Sequence, residues 1–382
     1  MNIFVGFIGL ALIAGVLWDA FETIILPRRV TQVFRLAQWF YRGTWRPVRA
    51  ASRRLRSGSK TRETLLSFYG PLSVLALFVL WGGVLMLGFA MLHWAAGSAL
   101  MGNQPRSFLT DLYLSGTTFF TLGMGDVVPG TGAARLITVL EAGTGFGVIA
   151  IVIAYLPVLY AAFSQRETNI SLLDARAGSP PTATELLRRH DYGADSVALE
   201  QYLRDWETWS AQLMESHLSY PTLCFWRSQH SNQSWLAALA TILDTCALIM
   251  ASAEGPLRWQ ARMTFAMSRH AVVDLSLIVR EPPRQNAADR LPSAGFERVR
   301  ELLAGSSLKL LQAPDAEEKL GRIRRYYEPY LHGLSERTLM PLPPWIPPQK
   351  VMDNWQSTAW DRGRSAAAKV PFAMVTKTRH FD

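Results

Sequence analysis

The chain has 382 residues, a formal net charge of +9, a sequence pI near 9.8, 49% hydrophobic residues and a mean hydropathy of +0.10. That hydropathy is too low for a wholly membranous protein and unusual for a wholly soluble one, so a mixed architecture of more than one domain is expected. The basic excess does not argue for nucleic acid, because 11 basic residues between positions 27 and 62 exceed it; the two cysteines, Cys224 and Cys246, lie in no metal spacing and read as buried thiols.

Three stretches are long and apolar enough to span a bilayer, which takes roughly 20 such residues. The first, residues 2–26, carries Asp19 and Glu22 near its end. It has neither a basic leading segment nor a small-residue cleavage site, so residues 1–26 read as a retained anchor. Asp19 and Glu22 share a helix face; either they meet interfacial water or basic neighbours such as Arg28 and Arg29, or they couple the helix to gating. Residues 27–67 form a basic loop with no acidic residue between positions 27 and 62, which the positive-inside rule places in the cytoplasm. The N-terminus is then outside, and positions 28–62 are expected to meet anionic lipid head groups. Within this loop, residues 31–45 interleave aromatic and aliphatic residues with arginine, as in a helix lying on the inner membrane surface. The second span, residues 72–96, holds Gly82, Gly83 and Gly88, which permit close helix contact. His93 and Trp94 are expected at the outer interface.

Residues 107–129 follow, with Phe108 to Ser115 patterned for about two helical turns and the run S-G-T-T-F-F-T-L-G-M-G-D-V-V-P after it, from Ser115. Gly123 and Gly125 fit places where a chain alternates into left-handed backbone at little steric cost. This run resembles the pore helix and selectivity filter of the prokaryotic potassium channel family, whose usual core reads T-V-G-Y-G-D. The resemblance covers about residues 70–163. It implies that the carbonyls of Thr121, Leu122, Gly123 and Met124 replace the water of a potassium ion, with Gly125 completing the filter, and that the Thr121 hydroxyl closes the inner end. It also implies filter support from Thr117, Thr118 and Asp126, and a homotetramer, since one filter strand cannot surround an ion. Met124 departs from the family, which has a bracing aromatic there; methionine fills gaps without defining them.

The third span, residues 136–163, reads as the pore-lining helix of a 68–163 pore domain. Gly143, Gly145 and Gly147 fall about where the resembling channels carry a hinge glycine, with Gly145 the expected hinge, and Pro157 should kink the helix. Glu141 is the one charge in this span; it either braces the filter or pairs locally. Residues 164–182 read as a polar linker, 183–339 as a helical cytoplasmic domain and 340–382 as a tail. Residues 235–251 are apolar but short and contain Asp244, so a buried helix is expected there in place of a fourth span.

The expected fold is therefore an all-α membrane protein with three transmembrane helices, a re-entrant pore helix and filter loop, and an all-α cytoplasmic domain. The expected function is passive potassium-selective flux across the cell membrane, with potassium as the permeant ion, no cofactor, no catalytic constellation and room for an unidentified cytoplasmic ligand. A weakly selective monovalent cation channel and a non-conducting membrane-anchored receptor or scaffold are the alternatives.

Overall fold

The computed structural model describes residues 2–25, 36–56, 58–97, 100–101, 107–191, 196–230, 232–306 and 313–348. Arg28, Arg29 and Arg35, and positions 349–382 of the expected tail, lie outside these residues. The chain divides into two compact units, Met1–Ala161 and Ala162–Asp382.

In the first unit, α1 (Asn2–Ala20) ends in a π turn, Phe21–Ile25, and α2 (Leu36–Arg54) follows. The long α3 (Lys60–Ala95) comes next, then α4 (Phe108–Phe119) and α5 (Gly132–Ala177), whose residues from Ala162 on belong to the second unit. The strands β1 (Leu100–Met101) and β2 (Val128–Pro129) pair antiparallel on either side of α4, a feature the helical patterning of the sequence does not signal. The packing of α1 on α3 depends on missing side chains: a Cβ on Gly9 would come 2.6 Å from the Gly88 carbonyl oxygen, and one on Gly88 would come 2.8 Å from Ile13. Two backbones thus approach as closely as glycine allows. Asp19 is buried at this junction, where it accepts the Trp81 indole N–H at 2.9 Å and the backbone N–H of Ala37 at 3.1 Å. It therefore fastens α1 to α3 and caps the first turn of α2, where a carboxylate is favourable. Glu22 accepts from the Trp18 indole at 3.0 Å.

Two boundaries differ from the sequence reading. Residues 60–67, expected in the basic loop, are the first turns of α3, started by Ser59, whose hydroxyl accepts the Arg62 N–H. Residues 164–177, expected in a polar linker, are the last turns of α5. Polar side chains there change the helix surroundings, not its backbone preference, and Pro157 sits inside the continuous helix.

The second unit contains α6 (Ala183–Arg189), α7 (Val197–Ser219), a 3-10 turn at Pro221–Phe225, α8 (Trp235–Ser252) and α9 (Gly255–Val279). It closes with α10 (Ser293–Leu303), α11 (Ala316–Arg324) and α12 (Glu328–Thr338). α8 is buried on nearly every side, and α9 and α11 pack against it. Its Asp244 takes two bonds from Arg290, at 3.2 and 2.6 Å, and one from the Tyr327 hydroxyl at 2.6 Å. Arg290 also reaches Glu328 and the Pro343 carbonyl, and Trp345 lies buried beneath Arg290 and Arg324. Positions 340–348 thus pack onto the unit in extended form.

Among the described residues, four helical segments are long and apolar enough to cross a membrane: Ile3–Ile24, Lys60–Ala95, Gly132–Ala177 and Trp235–Ser252. The last is 89% buried within its own unit, whereas the apolar window of Gly132–Ala177 is only 6% buried.

Candidate functional site

The loop between α4 and β2 is set by the end of α4. Ser107 caps the start of that helix, its hydroxyl accepting the Thr110 N–H at 3.2 Å. At the other end the Thr117 carbonyl accepts the N–H groups of Leu122 at 2.7 Å and Gly123 at 3.3 Å, and the Thr118 carbonyl accepts that of Thr121 at 3.0 Å. The chain folds back on the helix terminus, and the next residues alternate in hand. Thr121, Gly123 and Gly125 have φ of +57°, +54° and +78°, with ordinary backbone between them. Glycine takes this conformation freely; Thr121, β-branched and left-handed, is held there against its preference.

The amides of Leu122 and Gly123 are spent on Thr117, but among the described residues nothing donates to the carbonyls of Thr121, Leu122, Gly123 or Met124. All of these residues, with Gly125 and Asp126, are exposed in the single chain. Asp126 accepts the Tyr113 hydroxyl at 3.1 Å, tying the loop to the first half of α4. Tyr113 is a support residue missed from the sequence, since no local pattern links positions 113 and 126.

Behind α4 a polar cluster is sealed from solvent. The Glu141 carboxyl of α5 contacts the Ser115 hydroxyl of α4 and lies 3.3 Å from His93 Nε2 of α3. His93 is fully buried, its ring turned from α3 onto Glu141. Gly145 lies where α5 crosses the end of α4: a Cβ there would meet the Phe119 carbonyl oxygen at 2.2 Å. Gly143 and Gly147 have nothing within 4 Å in the single chain.

The family model described as Ion channel matches residues 74–160, which run from α3 through the loop to most of the apolar part of α5. Protein LctB of Geobacillus stearothermophilus is 35% identical over 95 residues, an alignment covering 22% of this chain and 70% of that protein. The chain belongs to the ion channel family. A second relative, the uncharacterized membrane protein YdjJ of Bacillus subtilis (strain 168), is 26% identical over 237 residues. That match covers 61% of this chain, and the chain spans 65% of the relative's length, just under two thirds. No solved structure matches.

The second unit has its own polar centre at the end of α5. Arg166, buried, donates to Glu167 at 2.9 Å, to the carbonyls of Leu223 and Trp226, and to His217 Nε2 at 3.2 Å. His217 Nδ1 is 2.8 Å from the Leu213 carbonyl and must donate to it, so Nε2 carries the lone pair that Arg166 needs. Burial first, and the Arg166 charge second, hold this imidazole well below its ordinary protonation range. Arg176 and His190 repeat the arrangement, with His190 Nδ1 donating to Leu186. His190 is lowered chiefly by burial, with Arg176 adding to it. A groove of about 600 Å³ lies between α7 and α9, lined by Arg204, Glu207, Trp259, Met263 and Met267 among others.

Proposed function

We propose that the protein is a subunit of a passive potassium-selective channel, with α3 as outer helix, α4 and its loop re-entering the membrane, and α5 lining the pore. The observation that carries this reading is the row of carbonyls from Thr121 to Met124, without donors among the described residues, on a loop that alternates in hand. Backbone at membrane depth must be satisfied or must face a wet cavity, and a ring of such carbonyls serves a dehydrated cation. One chain supplies one strand of that ring, so a fourfold homotetramer completes it; the nearly bare apolar face of α5 in one chain supports the same reading. In this arrangement α1 is a third span, α8 stays in the helical cytoplasmic unit, and the N-terminus lies outside. The arginines of α2, with the rest of positions 28–62, face anionic head groups. The groove between α7 and α9 is where a cytoplasmic ligand would be sought.

One observation favours a less selective channel. Met124 is 68% exposed, so it gives the loop no bracing within its own chain. The deciding experiment is the reversal potential of the reconstituted protein under a potassium gradient opposed by sodium. A potential that follows potassium is expected, with Gly123→Ala and Gly125→Ala abolishing current; a potential near zero with robust current establishes the weakly selective reading. Current that survives both glycine substitutions would sink the pore assignment, and a chain silent under every condition would leave a receptor or scaffold.

A further inference from the structure

Ser115 Oγ is in contact with two oxygens at once. Glu141 Oε1 lies on one side, and the Met86 carbonyl lies 2.7 Å away on the other. A serine hydroxyl has one proton to give, and a peptide carbonyl has none. Ser115 therefore donates to only one of them, and the proton for the second contact has to come from Glu141. A carboxylic acid supplies it: one oxygen donates and the other accepts. The accepting oxygen is Oε2, and His93 Nε2 stands 3.3 Å from it as the donor. Every proton in the cluster is then used once.

We propose that Glu141 is a neutral carboxylic acid whose hydroxyl donates to Ser115, which donates to the Met86 carbonyl, and that this relay positions α4 between α3 and α5. An ionised Glu141 would take the Ser115 proton and leave the Met86 carbonyl facing an oxygen lone pair. It would also place a full charge among side chains that have no solvent exposure, where an ionised group is expensive. The relay acts two residues before Thr117, whose carbonyl holds the amides of Leu122 and Gly123. Its effect on the loop is indirect, through the seat of α4, and that consequence rests on the pore reading; the place of the proton does not.

The test has two arms on the full-length protein. Infrared spectroscopy near neutral pH is expected to show a protonated-carboxyl C=O band that shifts in deuterated water, vanishes in Glu141→Gln and moves in frequency in Ser115→Ala. Absence of any such band removed by Glu141→Gln overturns the proposal, whether or not the protein conducts. In the second arm, Glu141→Ala is expected to lower the potassium-to-sodium permeability ratio about tenfold, the scale of one lost buried hydrogen bond. Glu141→Gln restores the ratio, because an amide donates to Ser115 and accepts from His93 as the acid does. A glutamine variant as poor as the alanine variant would show that the negative charge matters and would also overturn the proposal.

Discussion

Gly145 has no room for a side chain. Its hypothetical Cβ would meet the carbonyl oxygen, carbonyl carbon and Cα of Phe119 at 2.2, 2.9 and 3.0 Å, all of them backbone atoms that no rotamer change can move aside. The sequence reading took this glycine for a hinge; the close approach gives it a packing reason at the same position. Gly145→Ala is expected to cost about 1–3 kcal/mol through forced separation of α4 and α5. Gly143→Ala, with nothing within 4 Å, is expected to hold or gain stability because alanine is the better helix former by about 1 kcal/mol. Thermal unfolding of the two variants in detergent checks the contrast, and equal losses would show that the approach at Phe119 is not what Gly145 serves.

Among the elements, the last turns of α5 present two arginines ten residues apart, Arg166 and Arg176, each donating to a histidine whose other nitrogen is committed to a carbonyl one turn back. Both histidines must be neutral for these bonds to exist. Their folded protonation lies below the ordinary value of about 6.5, which the unfolded chain recovers. Below that value the unfolded state binds more protons, so stability is fully present above it and falls as the pH drops toward the lowered folded values. Denaturant unfolding of the full chain between about pH 7 and 5 should lose up to about 1.4 kcal/mol per pH unit from each histidine. His217→Gln should remove one share of that slope, and an unchanged slope would refute the role given to His217. These pairs were not legible in the sequence, because Arg166 and His217 are 51 positions apart and meet only when α7 packs against α5. The glycine spacing of the loop was legible for the opposite reason: a left-handed backbone leaves its mark on residue type locally. The same locality limit hid Tyr113 behind Asp126 and His93 beside Glu141, and ended α5 where its side chains became polar. Thr121 shows a further limit, since a left-handed β-branched residue is imposed by the fold against its own preference.

At the scale of the whole molecule, two units with different interiors are built from one chain. The first is held by close backbone contacts and a few sealed polar groups; the second surrounds α8 and is organised on the buried pair of Asp244 and Arg290. Removing one partner of such a pair leaves an uncompensated charge, so Arg290→Met is expected to cost about 3–5 kcal/mol. Arg300→Met, whose partner Glu297 is about half exposed, should change stability by less than about 1 kcal/mol. Guanidinium unfolding of both variants decides the point, and similar small effects would mean that Asp244 finds other compensation. Asp244 also has a role before any partner exists. Arg290 and Tyr327 follow it in the chain by 46 and 83 residues, so during synthesis α8 is made as an 18-residue apolar segment whose central carboxylate precedes both of these partners. A charge at that position costs about 2.5–3.5 kcal/mol on entering lipid. The residue that later anchors the unit's core therefore also opposes membrane entry of α8, as the proposed arrangement of this unit outside the bilayer requires.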